Sequence, residues 1–294
     1  MRIDTKPSGT GERKTPVQPN SRSRPIAERV EEREGRVDRA EISSEASKKT
    51  PGVRSTVWSN SRGLQGAVNA HSTNTKEDLE HALDTRTDWL EGDIREEIDR
   101  PGRLEMRHDE GHEPGDNLTL SEWLNEGRRS GRGLKLDIKE SSHTPQVLDE
   151  VSASGVPADR LMFNLGLEES RTYGDEIRKR FPEAILAINP PSEELAPEEL
   201  TEMGKLADRL GGQTTFPIRE DILTDDAIAK LSRHGSVSVW NSPGLALPGE
   251  RSLDDRRRSL EQRGVNGMID LRGDESALEK GQDAIKSLLQ GFGL

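Results

Sequence analysis

The chain contains no cysteine. That excludes disulfides, zinc–thiolate sites and a cysteine nucleophile. Aromatic residues are scarce at 3%, and hydrophobic residues reach only 30% of the 294. The mean hydropathy of -0.86 is polar for a folded chain and implies that part of it builds no core. No apolar run approaches the roughly 20 residues of a membrane helix. No apolar leader follows the first methionine, so no conventional secretion signal is expected. The expected location is cytoplasmic, with unconventional export as the alternative. Basic charge is also in deficit, with 43 Lys+Arg against 55 Asp+Glu and a net charge of -12. Binding along a phosphate backbone needs a basic surface, so a nucleic-acid partner is not expected. A bound cation can still draw a single phosphate into an acidic protein. No pattern specifies an oligomeric state.

The charge is unevenly placed. Residues 1–54 hold 13 Lys+Arg and 9 Asp+Glu, a net of +4, which leaves -16 on the rest. Those first 54 residues are rich in Pro, Ser, Arg and Glu, and read as a disordered tail with at most a short helix over 26–40. The folded domain is expected over 55–294.

From about Val57 onward, short apolar runs alternate with helical stretches. Strands are predicted at 66–71, 88–94, 133–138, 161–165, 184–188, 213–217, 236–240 and 265–270. Helices are predicted at 75–83, 120–130, 144–154, 168–181, 196–210, 225–232, 253–263 and 276–289. Pro145 and Pro197 suit first helical turns. Eight strands alternating with helices describe a (β/α)8 TIM barrel, an α/β fold, behind a disordered N-terminal tail. A doubly wound open sheet is the runner-up; the lack of a Gly-rich phosphate loop after the first strand weakens it. An extra strand at 104–108 is predicted to pair with the second barrel strand through an Arg100-Pro101-Gly102 turn.

Two predicted strands carry acids on one face. Side chains alternate along a strand, so Glu91 and Asp93 project together, and so do Lys135, Asp137 and Lys139. His71 ends the first strand and His108 follows the second. Active sites of this fold gather at the C-terminal ends of the strands, where His71, Asp93, Asp137, Asn164, Asn189, Arg219, Trp240 and Asp270 all fall. Three carboxylates, two imidazoles and a lysine there describe a divalent-cation site with an acid/base pair, which suits phosphodiester chemistry. Hard cations such as Mg²⁺ or Ca²⁺ prefer oxygen ligands, which Glu91, Asp93 and Asp137 would supply. Imidazoles titrate near neutrality, so His71 and His108 are the candidate catalytic pair. Lys139 could contact phosphate or instead hold Asp137 in place. Lys135 lies deeper and is expected to pack with core acids. Arg219 is a candidate substrate contact, and Trp240 a candidate pocket wall or barrel cap. His81, His112, His143 and His234 have no partner suggested by spacing.

The ordered segments Val68-Asn69-Ala70-His71-Ser72-Thr73-Asn74, Trp89-Leu90-Glu91-Gly92-Asp93, Asp116 to Leu124, Gly133-Leu134-Lys135-Leu136-Asp137-Ile138-Lys139, Thr215 to Arg219 and Val239 to Pro243 resemble the menorin-like domain. That domain is in turn similar to the glycerophosphodiester phosphodiesterase superfamily, which includes venom-type phospholipases D. The superfamily pattern of histidine, Glu-x-Asp, second histidine, then acid and lysine is met by His71, Glu91 with Asp93, His108, and Asp137 with Lys139. Trp240 matches a tryptophan common late in that barrel. Two departures stand out: Ser72-Thr73 replaces the usual Arg-Gly, and the third acid is Asp137, as in the venom-type branch. The resemblance implies a metal-dependent phosphodiesterase or phospholipase-D-like enzyme. A small phosphodiester or phospholipid head group, from a glycerophosphodiester or lysophospholipid, would be its partner. One imidazole would deprotonate a nucleophile while the other protonates the leaving oxygen. The alternative is a non-catalytic recognition barrel that retains the pocket. A sugar-processing barrel with paired carboxylates is a third reading, for which the histidines would be superfluous.

Overall fold

The computed structural model describes residues 57–111, 116–241 and 252–272. The expectations for 1–54, the final helix at 276–289 and His112 lie outside those residues. Within them the chain forms nine strands: β1 (Asn69–Ala70), β2 (Trp89–Glu96), β3 (Leu104–Met106), β4 (Gly133–Ile138), β5 (Leu161–Gly166), β6 (Ile185–Asn189), β7 (Gln213–Arg219), β8 (Ser236–Trp240) and β9 (Ile269–Asp270). Seven helices alternate with them: α1 (Lys76–Leu83), α2 (Leu120–Ser130), α3 (Thr144–Ser154), α4 (Leu167–Arg180), α5 (Pro197–Leu210), α6 (Asp225–Leu231) and α7 (Leu253–Gln262).

Eight strands run parallel in chain order, β1-β2-β4-β5-β6-β7-β8-β9, and form a nearly closed barrel. β3 pairs antiparallel with the far end of β2, Ile94 opposite Met106, through a turn in which Gly102 takes φ +89°. That is the predicted hairpin, with Arg100-Pro101-Gly102 at its tip.

Helix α2 shows how local chemistry sets these elements. The Thr119 hydroxyl accepts from the Glu122 amide at 3.2 Å, and the Glu122 carboxylate accepts from the Thr119 amide at 2.9 Å. This reciprocal cap satisfies two amide donors at the helix start. Gly131 ends the helix at φ +77°, a conformation that disfavours a Cβ. Leu120, Trp123, Leu124 and Gly127 form its buried stripe against the sheet.

The first and last barrel strands are much shorter than their predicted spans, two residues each. Neighbouring residues bond elsewhere: the Met268 amide donates to the Ser238 hydroxyl at 3.0 Å, and the Gly267 amide to the Val237 carbonyl at 2.8 Å. Among the described residues no backbone ladder joins β1 to β9. The seam is bridged by side chains instead, with Asn69 Nδ2 donating to Asp270 Oδ2 at 2.9 Å.

The alternation of faces sorts the core into two regions. Outward residues such as Leu90, Ile94, Leu136, Phe163, Leu186, Phe216 and Val237 pack with the helices. At the N-terminal end of the barrel the inward residues are apolar. There Trp58, Leu64, Trp89, Met162, Ile185 and Met268 form a second cluster, with Trp58 edge-on to Trp89 at 5.1 Å. Toward the C-terminal end the inward positions become Glu91, Asp93, Lys135, Asp137, Asn164 and Asn189, all mostly or fully buried. No described helix is long and apolar enough to cross a membrane.

Candidate functional site

The loop after β1 is built onto β2. Ser72 takes φ +45°, turning the chain sharply after His71. Thr73 then fixes the loop: its amide and its hydroxyl both donate to the Glu91 carbonyl at 2.8 Å, and Trp123 Nε1 donates to the Thr73 hydroxyl at 2.9 Å. Asn74 clamps the second acid, with Nδ2 donating to Asp93 Oδ2 at 2.8 Å and Oδ1 accepting from the Asp93 amide at 3.0 Å. The Ser72-Thr73 departure from the superfamily pattern thus has a structural role here. Gly92, between the two acids, faces outward, and a Cβ there would collide with Met106 and the Trp123 ring.

Two polar layers result. The deeper one centres on His71, whose Nδ1 lies 2.9 Å from Glu91 Oε2 and whose Nε2 lies 2.5 Å from Asp270 Oδ2. Lys135 Nζ donates to Glu91 Oε1 at 2.8 Å. Asn69 Nδ2 donates to Glu91 Oε2 at 2.6 Å as well as to Asp270. Burial pulls the His71 pKa down, but the charges of Asp270 and Glu91 outweigh it and raise the value to about 9. Burial would push Glu91 up, yet Lys135 and His71 hold it well below the usual carboxylate range. Asp270 is likewise lowered against its burial, chiefly by His71. Lys135 is raised, its burial outweighed by Glu91 and Asp137.

The upper layer follows from strand register, in which Asp93 faces Asp137 and Glu91 faces Lys135. Lys139 Nζ sits between the two aspartates, 3.1 Å from Asp93 Oδ1 and 3.0 Å from Asp137 Oδ2. Asn164 Nδ2 donates to Asp137 Oδ1 at 2.9 Å, and Asn189 Nδ2 donates to Asn164 Oδ1 at 2.9 Å. Lys139 therefore makes the carboxylate contacts that one of its two readings required.

The remaining predicted residues are placed as follows. His108 lies just past β3 at the barrel rim, a quarter exposed, with Nδ1 3.0 Å from Asp109 Oδ1. The Arg107 amide donates to the Asp93 carbonyl at 2.7 Å, and Arg95 Nε to the His108 carbonyl at 2.9 Å, so its backbone is tied to the end of β2. Arg219 makes a two-pronged pair with Asp221, at 2.5 and 2.9 Å, and reaches Glu193 at 3.2 Å. Trp240 is half-buried and walls a cavity of about 30 Å³ with Lys135, Met162, Pro217, Met268 and Asp270. His234 pairs with Asp208 and His143 with Glu140.

Glu91, Asp93 and Asp137 were expected together. Among the described residues, the group of His, Asp and Glu whose ligand atoms all come within 4.8 Å of one another is instead His71, Glu91 and Asp270. This group could hold a divalent cation. Asp270 and Asn69 were absent from the predicted site set. Asp270 was visible only as one of eight residues at strand ends, and Asn69 only by sharing a strand face with His71 two residues on.

Residues 65–161 match the family model described as the Menorin N-terminal domain. The match supports the menorin-like resemblance and takes in His71, Glu91, Asp93, His108, Asp137 and Lys139. It ends before Arg219, Trp240 and Asp270, which lie outside the menorin-matched part. No curated protein matches the chain. Among solved structures, one titled "Crystal structure of FimX EAL domain" is similar at 18% identity and a TM-score of 0.34, over 52% of this chain and 64% of that one. The chain thus spans less than two thirds of that domain, and so slight a likeness carries no argument here.

Proposed function

We propose that the C-terminal mouth of the barrel is a cation-assisted phosphodiester site, acting on a glycerophosphodiester or lysophospholipid head group. The observation that carries this reading is the inward burial of Glu91, Asp93, Asp137, Asp270, Lys135, Lys139 and His71 in one barrel end. Burying that many charges costs several kcal/mol per unpaired ion, and an apolar filling like that of the opposite end would be the stable choice. A cation of the Mg²⁺ or Ca²⁺ class would offset phosphate charge and stabilise charge developing in the transition state. Glu91 would serve it. Asp93 and Asp137, the other two carboxylates implied by the superfamily pattern, hold the Lys139 ammonium, which would meet a phosphate oxygen at the top of the layer. His108 at the rim would transfer the proton to or from the leaving oxygen. His71, the other imidazole of the pattern, is held between two carboxylates. Arg219 and Trp240 would border the rest of the substrate.

One observation favours a second reading. Each inward acid already has a cationic or amide partner, so the pocket is internally compensated, as in a recognition barrel that binds without chemistry. A screen of glycerophosphodiesters and lysophospholipids with Mg²⁺, Ca²⁺ and Mn²⁺ separates the two. Turnover that falls by about 100-fold or more in His108→Ala supports the enzyme, on the usual scale of acid–base catalysis. Binding of head groups without turnover supports the recognition barrel.

A further inference from the structure

The deeper layer contains two buried acceptors that the fold leaves unsatisfied. Asp270 Oδ1 and Asn69 Oδ1 have no hydrogen-bond partner, although the residues are only 5% and 1% exposed. An orphaned polar atom in such a place costs free energy and calls for a missing donor or cation. The neighbouring atoms say which. Glu91 Oε2, Asp270 Oδ2 and His71 Nε2 converge on one point, now taken by Asn69 Nδ2 at 2.6, 2.9 and 3.4 Å. Exchanging the two ends of the Asn69 amide, which differ little in shape, would turn its orphaned oxygen toward that point. With the amide nitrogen there the group is held by hydrogen bonds; with the oxygen there, four lone-pair atoms would crowd together with no proton between them, an arrangement that a cation among them would stabilise.

The upper layer offers nothing comparable. Lys139 already bridges Asp93 and Asp137, and Asn74 and Asn164 donate to their other oxygens.

We propose that a divalent transition-metal ion binds at the barrel seam, ligated by His71, Glu91, Asp270 and the amide oxygen of Asn69, and not among Glu91, Asp93 and Asp137. The donor set is one nitrogen with three oxygens. Ca²⁺ takes six to eight oxygens, whereas imidazole beside carboxylates suits Mn²⁺ or Zn²⁺. The ion would also tie β1 and β2 to β9, a junction without a backbone ladder among the described residues. This inference rests on the reading that the barrel mouth carries a cation, and its test reads binding, not turnover.

The test uses the full chain, stripped with EDTA and titrated with Mn²⁺ under electron paramagnetic resonance, with Zn²⁺ and Ca²⁺ as competitors. The expected result is one Mn²⁺ per chain, displaced by Zn²⁺ and not by equimolar Ca²⁺. Affinity should fall roughly 10-fold or more in Asp270→Asn and change less than about 3-fold in Asp137→Asn, given the usual weight of a metal-site residue. Pulsed spectra of the wild type should show coupling to an imidazole nitrogen, which keeps the test decisive even where Asp270→Asn loosens the seam. Absence of that coupling, or loss of binding in Asp137→Asn alone, overturns the seam assignment while leaving the phosphodiester reading standing. A folded wild-type chain that binds neither Mn²⁺ nor Zn²⁺ overturns it as well. Turnover without any added cation, retained in EDTA, would instead count against the cation in the functional reading.

Discussion

Replacing Lys139 by methionine tests whether the upper layer is an electrostatic unit. The lysine side chain is 5% exposed, and the carboxylates of Asp93 and Asp137 are 3.1 and 3.0 Å from its ammonium. Methionine keeps most of the side-chain volume, so the packing term is small, under about 1.5 kcal/mol. The loss of charge leaves two buried carboxylates facing each other across neighbouring strands, where Asn74 donates to Asp93 and Asn164 to Asp137. Removing one partner of a buried ionic group costs about 3–5 kcal/mol. For a domain of this size each kcal/mol moves Tm by about 2–4 °C, so a drop of about 10 °C is expected at pH 8. Adding Asp93→Asn to Lys139→Met should recover more than half of the loss. Denaturant unfolding at pH 8, for wild type and both variants, measures each loss. A Lys139→Met chain within about 1 kcal/mol of wild type at pH 8 would refute the reasoning, since that is the range of an exposed pair.

In metal-free protein the pKa of His71 lies near 9 instead of 6.5. A raised folded-state value stabilises fully below about 6.5 and is lost as pH climbs through about 9, an effect of up to about 3 kcal/mol. Urea unfolding between pH 6 and 10 in EDTA should show that decline, and His71→Gln should flatten it; a decline of equal size in His71→Gln would assign the slope elsewhere. Gly92→Ala should destabilise by about 1–3 kcal/mol, because the added methyl meets Met106 and the Trp123 ring. Its thermal melt reports this, and an unchanged melting temperature would show that the α2 contact yields.

The barrel was legible because its signals are local. Strand-length apolar runs, helix starts such as Pro145 and Pro197, and the turn at Pro101-Gly102 are each read within a few residues. The acids on one face of β2, and Asp137 with Lys139 on β4, follow from alternation alone. What remained hidden depends on which strands become neighbours. Lys139 was placed beside Asp137 by spacing, but its second partner, Asp93, comes from the register of β2 against β4. Asp270 lies 201 residues from Asn69 along the chain, and only barrel closure brings them together. The shortness of β1 and β9 has the same origin. Their apolar composition suits full strands, but among the described residues each finds a ladder partner on one side only.

The Trp58–Trp89 pair bears on where the domain begins. Trp58 stacks edge-on against Trp89, while Asn60 Nδ2 donates to the carbonyls of Leu161 and Glu183. The eight described residues ahead of the family match at residue 65 therefore work as a stopper in the apolar end of a vessel whose other end is charged. A truncation made at residue 65 would uncork it. Water would then reach the underside of Met162 and Met268, and beyond them the buried ions would lose the dry wall that strengthens every one of their contacts.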